Sequence, residues 1–131
     1  MDTITLVRTG NRPLRFQGEM LSSCNTKAHS GPGDTRWWEM AIYRTQAGGY
    51  VVHIAYDSNW QGETCRYDVY PCADAAAVAA AFRDHDHLSA IHGYYNAGER
   101  QERLLRQLTD IYLAHVTDLL DGANIEPEYL A

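Results

Sequence analysis

The chain has 131 residues, a usual length for one domain and enough to bury a core of its own. Hydrophobic residues make up 45% of it and charged residues 21%, which is ordinary for a soluble globular protein. The sequence has no apolar run near the roughly 18 residues of a membrane span, and it does not start with the pattern of a signal peptide. We therefore expect a cytoplasmic protein that does not enter a membrane.

The net charge of −6 is concentrated in the second half of the chain. Residues 1–60 carry six basic and five acidic residues, whereas residues 61–131 carry five arginines and twelve acidic residues. An acidic surface repels phosphate backbones and attracts basic surfaces. The charge pattern therefore argues against direct binding of nucleic acid and favours a protein partner with a basic surface. The alternative is a solvated surface that serves only solubility.

The first predicted elements are two strands that form a hairpin. Apolar and polar residues alternate over residues 3–9 and again over 14–21, and the turn residues 10–13 separate the two segments. Gly18 lies inside the second strand, where a bulge or the close approach of another backbone is the usual reason for a glycine. The polar residues 22–35 that follow predict a long loop.

The clearest prediction is a second hairpin, made by residues 37–45 and 50–56. The segment between them contains Gly48 and Gly49, which supply the positive φ angles of a tight turn. Residues alternate with a period of two in both strands. In the first strand, one face is clearly apolar, with Trp38, Met40 and Ile42, and these alternate with Trp37, Glu39, Ala41 and Tyr43. In the second strand both faces could be covered, with Tyr50, Val52, Ile54 and Tyr56 on one side and Val51, His53 and Ala55 on the other.

A fifth strand and two helices complete the predicted elements. Residues 64–70 alternate as a half-buried strand does, and Pro71 is expected to end it. Residues 74–83 are rich in alanine and begin with Asp74, a favourable N-cap. From Asn96 to Gly122, apolar residues recur at the spacing of three and four that is typical of an amphipathic helix.

These elements predict one α+β domain over residues 1–131. Its five strands, within residues 3–70, are expected to form an antiparallel meander, because short links join strands that follow one another in the chain. The short Ala-rich helix and the long C-terminal helix, both within residues 73–122, are expected to pack on one face of the sheet. Residues 123–131 predict an irregular tail.

The three cysteines, Cys24, Cys65 and Cys72, are expected to be reduced. Their number is odd, they form no CxxC pair, and no export signal accompanies them. We interpret them as small hydrophobic residues of the core.

One group of residues could hold a metal. His85, His87 and His92 lie close together in the chain with Asp84 and Asp86, and imidazole with carboxylate suits zinc or another divalent ion. The spacing matches no known metal motif, so the alternative is a polar connector between the two helices. A metal-binding protein or a metal-dependent enzyme is thus one hypothesis for this chain.

No other pattern demands a particular chemistry. The chain has no nucleophile elbow, no cysteine-centred catalytic signature and no phosphate-binding loop. We therefore expect a non-catalytic protein without a cofactor.

The aromatic composition favours an interaction surface. The chain has nine tyrosines and three tryptophans but only two phenylalanines, so most of its rings carry a polar group, as is common at protein interfaces. A homodimer through the long helix or the sheet is a further possibility, and a third hypothesis is a small-molecule site on the open sheet face near Trp37 and Tyr43. The predicted interaction residues are Trp37, Tyr43, Trp60, Tyr94, Tyr95, Glu99 and Glu102.

The central motifs resemble those of a group of small bacterial proteins. The motifs are Trp37-Trp38-Glu39, residues 42–45, residues 49–52 and the Trp60-x-Gly62-Glu63 segment. They are similar to motifs in small hypothetical proteins from bacterial genomes, plasmids and other mobile elements, and the resemblance covers residues 14–72. It implies a bacterial accessory protein and transfers no catalytic residue. By analogy of class, small acidic accessory proteins include inhibitors of host defence such as anti-CRISPR proteins.

Overall fold

A computed structural model of the chain describes residues 1–27, 36–59, 63–91 and 99–125, without the side chains of residues 99–101. The described strands form one antiparallel sheet in which their order follows the chain. Two helices follow, and the predicted α+β fold with its meander is confirmed. The elements are β1 (Asp2–Arg8), β2 (Asn11–Asn25), β3 (Arg36–Thr45), β4 (Tyr50–Ser58), β5 (Arg66–Cys72), α1 (Ala75–Asp84) and α2 (Glu99–Gly122).

The main core lies between one face of the sheet and the two helices. Trp38, at the centre of this core, is fully buried, and its ring contacts the rings of Tyr56 and Tyr112 at centroid distances of 5.8 and 5.5 Å. The even-numbered residues of β3 and β4 face the helices, as the alternation predicts. The helices contribute Val78, Phe82, Leu108, Tyr112, Val116, Leu119 and Leu120 to this core.

A smaller core fills the opposite face because the sheet curls into a half-barrel. The amide of Thr9 donates to the carbonyl of Tyr67 over 2.8 Å, and the Tyr67 amide donates to the Thr9 hydroxyl over 2.7 Å. These bonds join the end of the first strand to the last strand. Leu6 from β1 is buried with residues of β3 and β4 as a result. The buried members of this second core are Leu6, Ala41, Tyr43 and Val51.

The curl depends on β2, which is twice as long as predicted. Its first half pairs with β1 and its second half with β3, and Gly18 pairs with both Asp2 and Thr45. A Cβ atom at Gly18 would lie 2.5 Å from the carbonyl oxygen of Arg44, so only glycine fits here. The close approach expected for this glycine is therefore present, and the bulge of β2 lies a little later, between Met20 and Ser22.

Two predicted boundaries were wrong. The loop predicted to begin at residue 22 begins after Asn25, because Ser22 belongs to β2 and its hydroxyl donates to the carbonyl of Leu119 over 2.8 Å. The fifth strand does not end before Pro71, since β5 continues to Cys72. Pro71 pairs with Val51 on one side only, and a proline is tolerated on an edge strand.

Hydrogen bonds at the helix termini fix the start of α1 and the end of α2. The carboxylate of Asp74 accepts the amide of Ala77 over 2.8 Å, which confirms the predicted N-cap. The helix α2 ends at Gly122, as predicted, and the left-handed residue that follows is Asn124, with φ of 57°. The amide of Ile125 donates to the Leu120 carbonyl and the Asn124 amide donates to that of Asp121, the two bonds of a Schellman motif. The predicted helix start at Asn96 lies outside the described residues.

A matched pair of substitutions tests this helix end. Asn124→Gly should raise the free energy of unfolding by about 0.5–1 kcal/mol, because glycine adopts a positive φ without steric cost. Asn124→Ala should lower the free energy of unfolding by about 1 kcal/mol, because its Cβ atom is disfavoured there and its side chain offers no local hydrogen bond. Urea denaturation of the two variants measures both values, and a loss of stability in the glycine variant would contradict the assignment.

Candidate functional site

The candidate site is a groove on the curled face of the sheet, beside the smaller core. It has a volume of about 510 Å³ and lies between the second half of β2, β3 and β4. The hairpin of β1 and the first half of β2 supplies the smaller core but no residue of this groove. The groove is lined by Met20, Ser23, Cys24, Asn25, Glu39, Met40, Ala41, Tyr43 and His53.

His53 is the most unusual residue of the groove. Its Nε2 atom is buried and has no hydrogen-bond partner among the residues that the structure describes. Burial lowers the pKa of His53, and the carboxylates of Asp57 and Asp68 oppose this effect only in part. The imidazole is therefore neutral at neutral pH, and one of its nitrogens is left without the partner that buried polar atoms normally have.

Glu39 supplies the only charge among the described residues that line the groove. Asn25 donates its side-chain amide to Oε1 of this carboxylate over 2.9 Å. Within the described parts of the chain, Oε2 makes no hydrogen bond. Cross-strand pairing explains the arrangement, since Asn25 and Glu39 are register partners on the same face of the sheet.

Trp37 and Tyr43 occupy different environments on this face. Tyr43 lines the groove but is mostly buried, and its ring meets the Phe16 ring edge to face at 5.6 Å. Trp37 is half-buried and does not line the groove; the ammonium of Lys27 lies 4.5 Å from the centre of its ring. A concave site near Tyr43 is thus present, while Trp37 lies further along the sheet.

The other predicted interaction residues lie at or beyond the edge of the described structure. Glu99 is the first residue of α2, and its side chain is not described. Glu102 is exposed and lines a hollow of about 370 Å³ with Leu88 and Arg106. Trp60, Tyr94 and Tyr95 lie outside the described residues. Of the predicted set, the side chains of Trp37, Tyr43 and Glu102 are the ones described, and the interaction role of the set stays a prediction.

His85 and His87 pack in the main core instead of facing solvent together. The His87 ring stacks on Tyr112 with a centroid distance of 4.4 Å and an interplanar angle of 9°. Its Nε2 atom lies 2.9 Å from the Thr109 hydroxyl, and Nδ1 of His85 lies 2.6 Å from the Tyr70 hydroxyl. Burial lowers the pKa of both rings. Each histidine thus has a hydroxyl partner and an aromatic neighbour.

Binding of a metal by His85, His87 and His92 stays a hypothesis. In residues 1–27, 36–59, 63–91 and 99–125, no three side chains of His, Cys, Asp or Glu are grouped as metal ligands are. His92, the third predicted ligand, lies outside these ranges.

A buried ion pair joins β3, β4 and the segment before β5. Glu63 is fully buried, and Arg36 donates to it from Nη2 over 2.7 Å. Tyr56 and Ser58 also donate to this carboxylate, over 2.7 and 2.8 Å. Burial alone would raise the pKa of Glu63, but the hydrogen bonds from Arg36, Tyr56 and Ser58 outweigh it and hold the pKa below its usual range. The carboxylate is satisfied on both oxygens, which indicates a structural role.

The cysteines are free, as expected, and the described structure gives no sign of a reactive thiol. Burial raises the pKa of the Cys24 thiol to about 11 and also raises the pKa of Cys72. A thiol is nucleophilic as its thiolate, so these two residues act as small hydrophobic side chains.

The outer face of α2 carries a run of exposed carboxylates. Asp110, Asp118 and Asp121 are all exposed, and no arginine or lysine occurs after Arg106 in the helix. Leu113, on the same face, is 50% exposed. The negative end of the helix dipole adds to the charge of these residues.

No protein-family model, no curated protein and no solved structure matches this chain. Among the helices described, none is both long enough and apolar enough to cross a membrane.

Sequence reasoning missed the groove and its central residue. His53 lies on the same face of the sheet as Glu39 and Tyr43 because it is the register partner of Ala41. The alternation predicts the two sides of each strand, but the register across the hairpin decides which sides coincide. The signal that marks His53 is a titratable side chain in an otherwise apolar strand. The last part of β2, residues 22–25, which brings Ser23 and Asn25 beside it, was predicted as the start of a loop.

The buried histidines predict a stability that depends on pH. His53, His85 and His87 have a pKa below the ordinary 6.5 in the folded protein, so the unfolded chain binds protons first as the pH falls. The stability from the neutral rings is complete above about pH 6.5 and is lost as the pH falls from there toward the folded-state pKa values. The slope is at most about 1.4 kcal/mol per pH unit for each proton taken up.

Urea denaturation between pH 8 and 5 measures this slope. The double variant His85→Gln, His87→Gln should be less stable at pH 8 and should show a smaller slope, because only His53 of the three histidines remains. Below about pH 4.5 the lowered pKa of Glu63 adds a further loss in both proteins. An unchanged slope in the double variant would contradict the role assigned to these rings.

Proposed function

We propose that the protein is a non-catalytic interaction module that binds a partner protein with a basic surface. The observation that carries the proposal is the exposed face of α2, where Asp110, Asp118 and Asp121 all follow Arg106, the last arginine or lysine of the helix. Oppositely charged surfaces steer association and fix the orientation of the partners. The exposed side chain of Leu113 adds apolar contact area at the edge of this face.

The position of the charges supports a role other than stability. Carboxylates near the C-terminal end of a helix interact unfavourably with its dipole, by about 0.3–1 kcal/mol each in the last turn. Asp121 lies in that turn, and the turn holds no basic residue. A surface that served stability alone would favour lysine or arginine at this place.

A basic partner is favoured over a second copy of the same face. Two copies of α2 that met through this surface would bring like charges together, which is costly at an interface. A homodimer through the sheet edge is compatible with the proposal, because it would leave the acidic face free. The resemblance of residues 14–72 to proteins of mobile elements suggests that binding inhibits or regulates the partner.

The test is capture of the partner from a bacterial lysate with the protein as bait, followed by washes at low and high salt. The Debye length falls from about 10 Å at 0.1 M to about 3 Å at 1 M salt, so contacts between charged surfaces weaken strongly. We expect one stoichiometric partner that the high-salt wash removes. Binding that resists salt would contradict recognition by the acidic face.

A charge variant separates binding from folding. The triple variant Asp110→Asn, Asp118→Asn, Asp121→Asn should lose at least tenfold in affinity for the captured partner, measured by titration calorimetry. Its free energy of unfolding should equal or exceed that of the wild type, because a repulsion with the helix dipole is removed. The control is Asp2→Asn with Glu19→Gln, two exposed acids on β1 and β2. Equal losses in both variants would show that net charge, and not this face, controls binding.

A further inference from the structure

We infer that the outer edge of β1 is the interface of a homodimer, in which it pairs antiparallel with β1 of a second copy about a two-fold axis at Thr5. The two sheets then continue into one another through backbone hydrogen bonds. This interface does not rest on the proposed binding of a basic partner, because β1 and α2 pack on opposite faces of the sheet.

The outer edge of β1 is unpaired in the described structure. β1 is the last strand at one side of the sheet, and among the described residues its backbone pairs with β2 alone. Alternate residues of such a strand direct their N–H and C=O groups away from the sheet, where a further strand can bind them. The seven residues Asp2–Arg8 form this edge, which ends just before Thr9, whose amide is bonded to Tyr67.

β1 lacks the features that usually keep an edge strand from pairing. It contains no proline and no lysine, and it keeps a regular alternation because the extra residue of its irregular pairing lies in β2, opposite Val7. The other edge strand, β5, has Pro71, and both the amide and the carbonyl of its Tyr67 are bonded to Thr9. Of the two edges, β1 is therefore the one that can accept a further strand.

The sequence of β1 is complementary to itself in the antiparallel direction. With Thr5 on the axis, Asp2 stands opposite Arg8 of the second copy, and this pair of opposite charges occurs twice. Ile4 stands opposite Leu6, and both side chains lie on the face that carries the smaller core. A register shifted by two residues would instead place Asp2 opposite Leu6, or Arg8 opposite Ile4. The charges therefore select the register centred on Thr5.

The opposite face of β1 carries apolar area that the monomer exposes to water. Val7 is 58% exposed, and it shares this face with Thr3 and Thr5. In the same register Val7 stands opposite Thr3 of the second copy, and the two Thr5 side chains meet at the axis. All three residues are β-branched, and such side chains pack well across neighbouring strands. Both faces of β1 thus fit a second β1.

The dimer is measured by sedimentation velocity of the untagged protein from 5 µM to 1 mM at 50 mM salt. We expect a reversible monomer–dimer equilibrium within this range. Amide hydrogen exchange at the two ends of the range locates the interface, because alternate amides of β1 should exchange at least tenfold more slowly in the dimer. A protein that stays monomeric at 1 mM, or a dimer that leaves the exchange of β1 unchanged, would overturn the proposal.

Two charge reversals test the register. Asp2→Arg brings arginines together at both ends of the paired strands, and Arg8→Asp brings aspartates together, so each variant alone should dimerise at least tenfold more weakly than the wild type. An equimolar mixture of the two should form a heterodimer, because every arginine of one chain then meets an aspartate of the other. Self-association that neither reversal weakens, or a mixture without a heterodimer, would contradict the register.

The double variant Asp2→Arg, Arg8→Asp controls for damage to the fold. Nε of Arg8 donates to the carbonyl of Arg12, and the double variant loses this bond as Arg8→Asp does. It restores opposite charges across the interface, however, so its dimer should be within threefold of the wild type in affinity. A double variant as weak as Arg8→Asp would overturn the charge pairing.

The triple variant of α2, Asp110→Asn, Asp118→Asn, Asp121→Asn, separates this interface from the proposed binding of a basic partner. It should dimerise as the wild type does, whether or not it binds that partner. Loss of the dimer in this variant would place the interface on α2 and overturn the assignment to β1.

Discussion

Both faces of the central hairpin β3–β4 are apolar, and this constraint determines the rest of the structure. Trp38 and Ile54 point to one side and Tyr43 and Val51 to the other, and all four are nearly excluded from water. A flat sheet with helices on one face would leave the second set exposed. At roughly 25 cal/mol for each Å² of apolar area, that exposure would remove much of the stability of a domain of this size. The helices cover the first face, and the curl of the sheet covers the second.

The curl also creates the candidate site, because the covering hairpin is too short to cover the whole face. β1 pairs only with the first half of β2, and its end meets β5 at Tyr67. The part of the face between the second half of β2 and β4 has no strand above it in the described structure. His53 and Glu39 lie in that part, so the same packing that buries Tyr43 leaves them beside an open groove. Sites at the mouths of barrels arise in the same way.

The strands and helices could be predicted from the sequence, but the curl of the sheet could not, and the difference has a physical reason. The strands, both helices and the Asp74 cap depend on local periodicity and on contacts within a few residues, and all of these are visible in a single chain. The length of β2 depends on a partner, since the polar residues Ser22 to Asn25 form a strand only because β3 lies beside them. His85 and His87 suggested a metal cluster because they are close in sequence, but packing against Tyr112 is a tertiary contact. The alternation predicts that His53 lies on the side of β4 that carries Val51, but the register decides that this side is shared with Glu39, and the groove depends on the curl.

The carboxylates of Glu63 and Glu39 differ in how completely they are hydrogen-bonded. Glu63 forms a buried ion pair with Arg36. Removing one partner of such a pair typically costs about 3–5 kcal/mol, because the other charge is left buried without compensation. Here each oxygen of Glu63 is occupied by hydrogen bonds from residues of β3 and β4, so the carboxylate links the hairpin to the segment that leads into β5. Glu39 presents the opposite case, since it is exposed on the curled face and only one of its oxygens is engaged in the described chain. A carboxylate whose bonds are complete stabilises the fold. Glu39, which accepts one hydrogen bond from Asn25 in the described chain, adds a single link between β2 and β3.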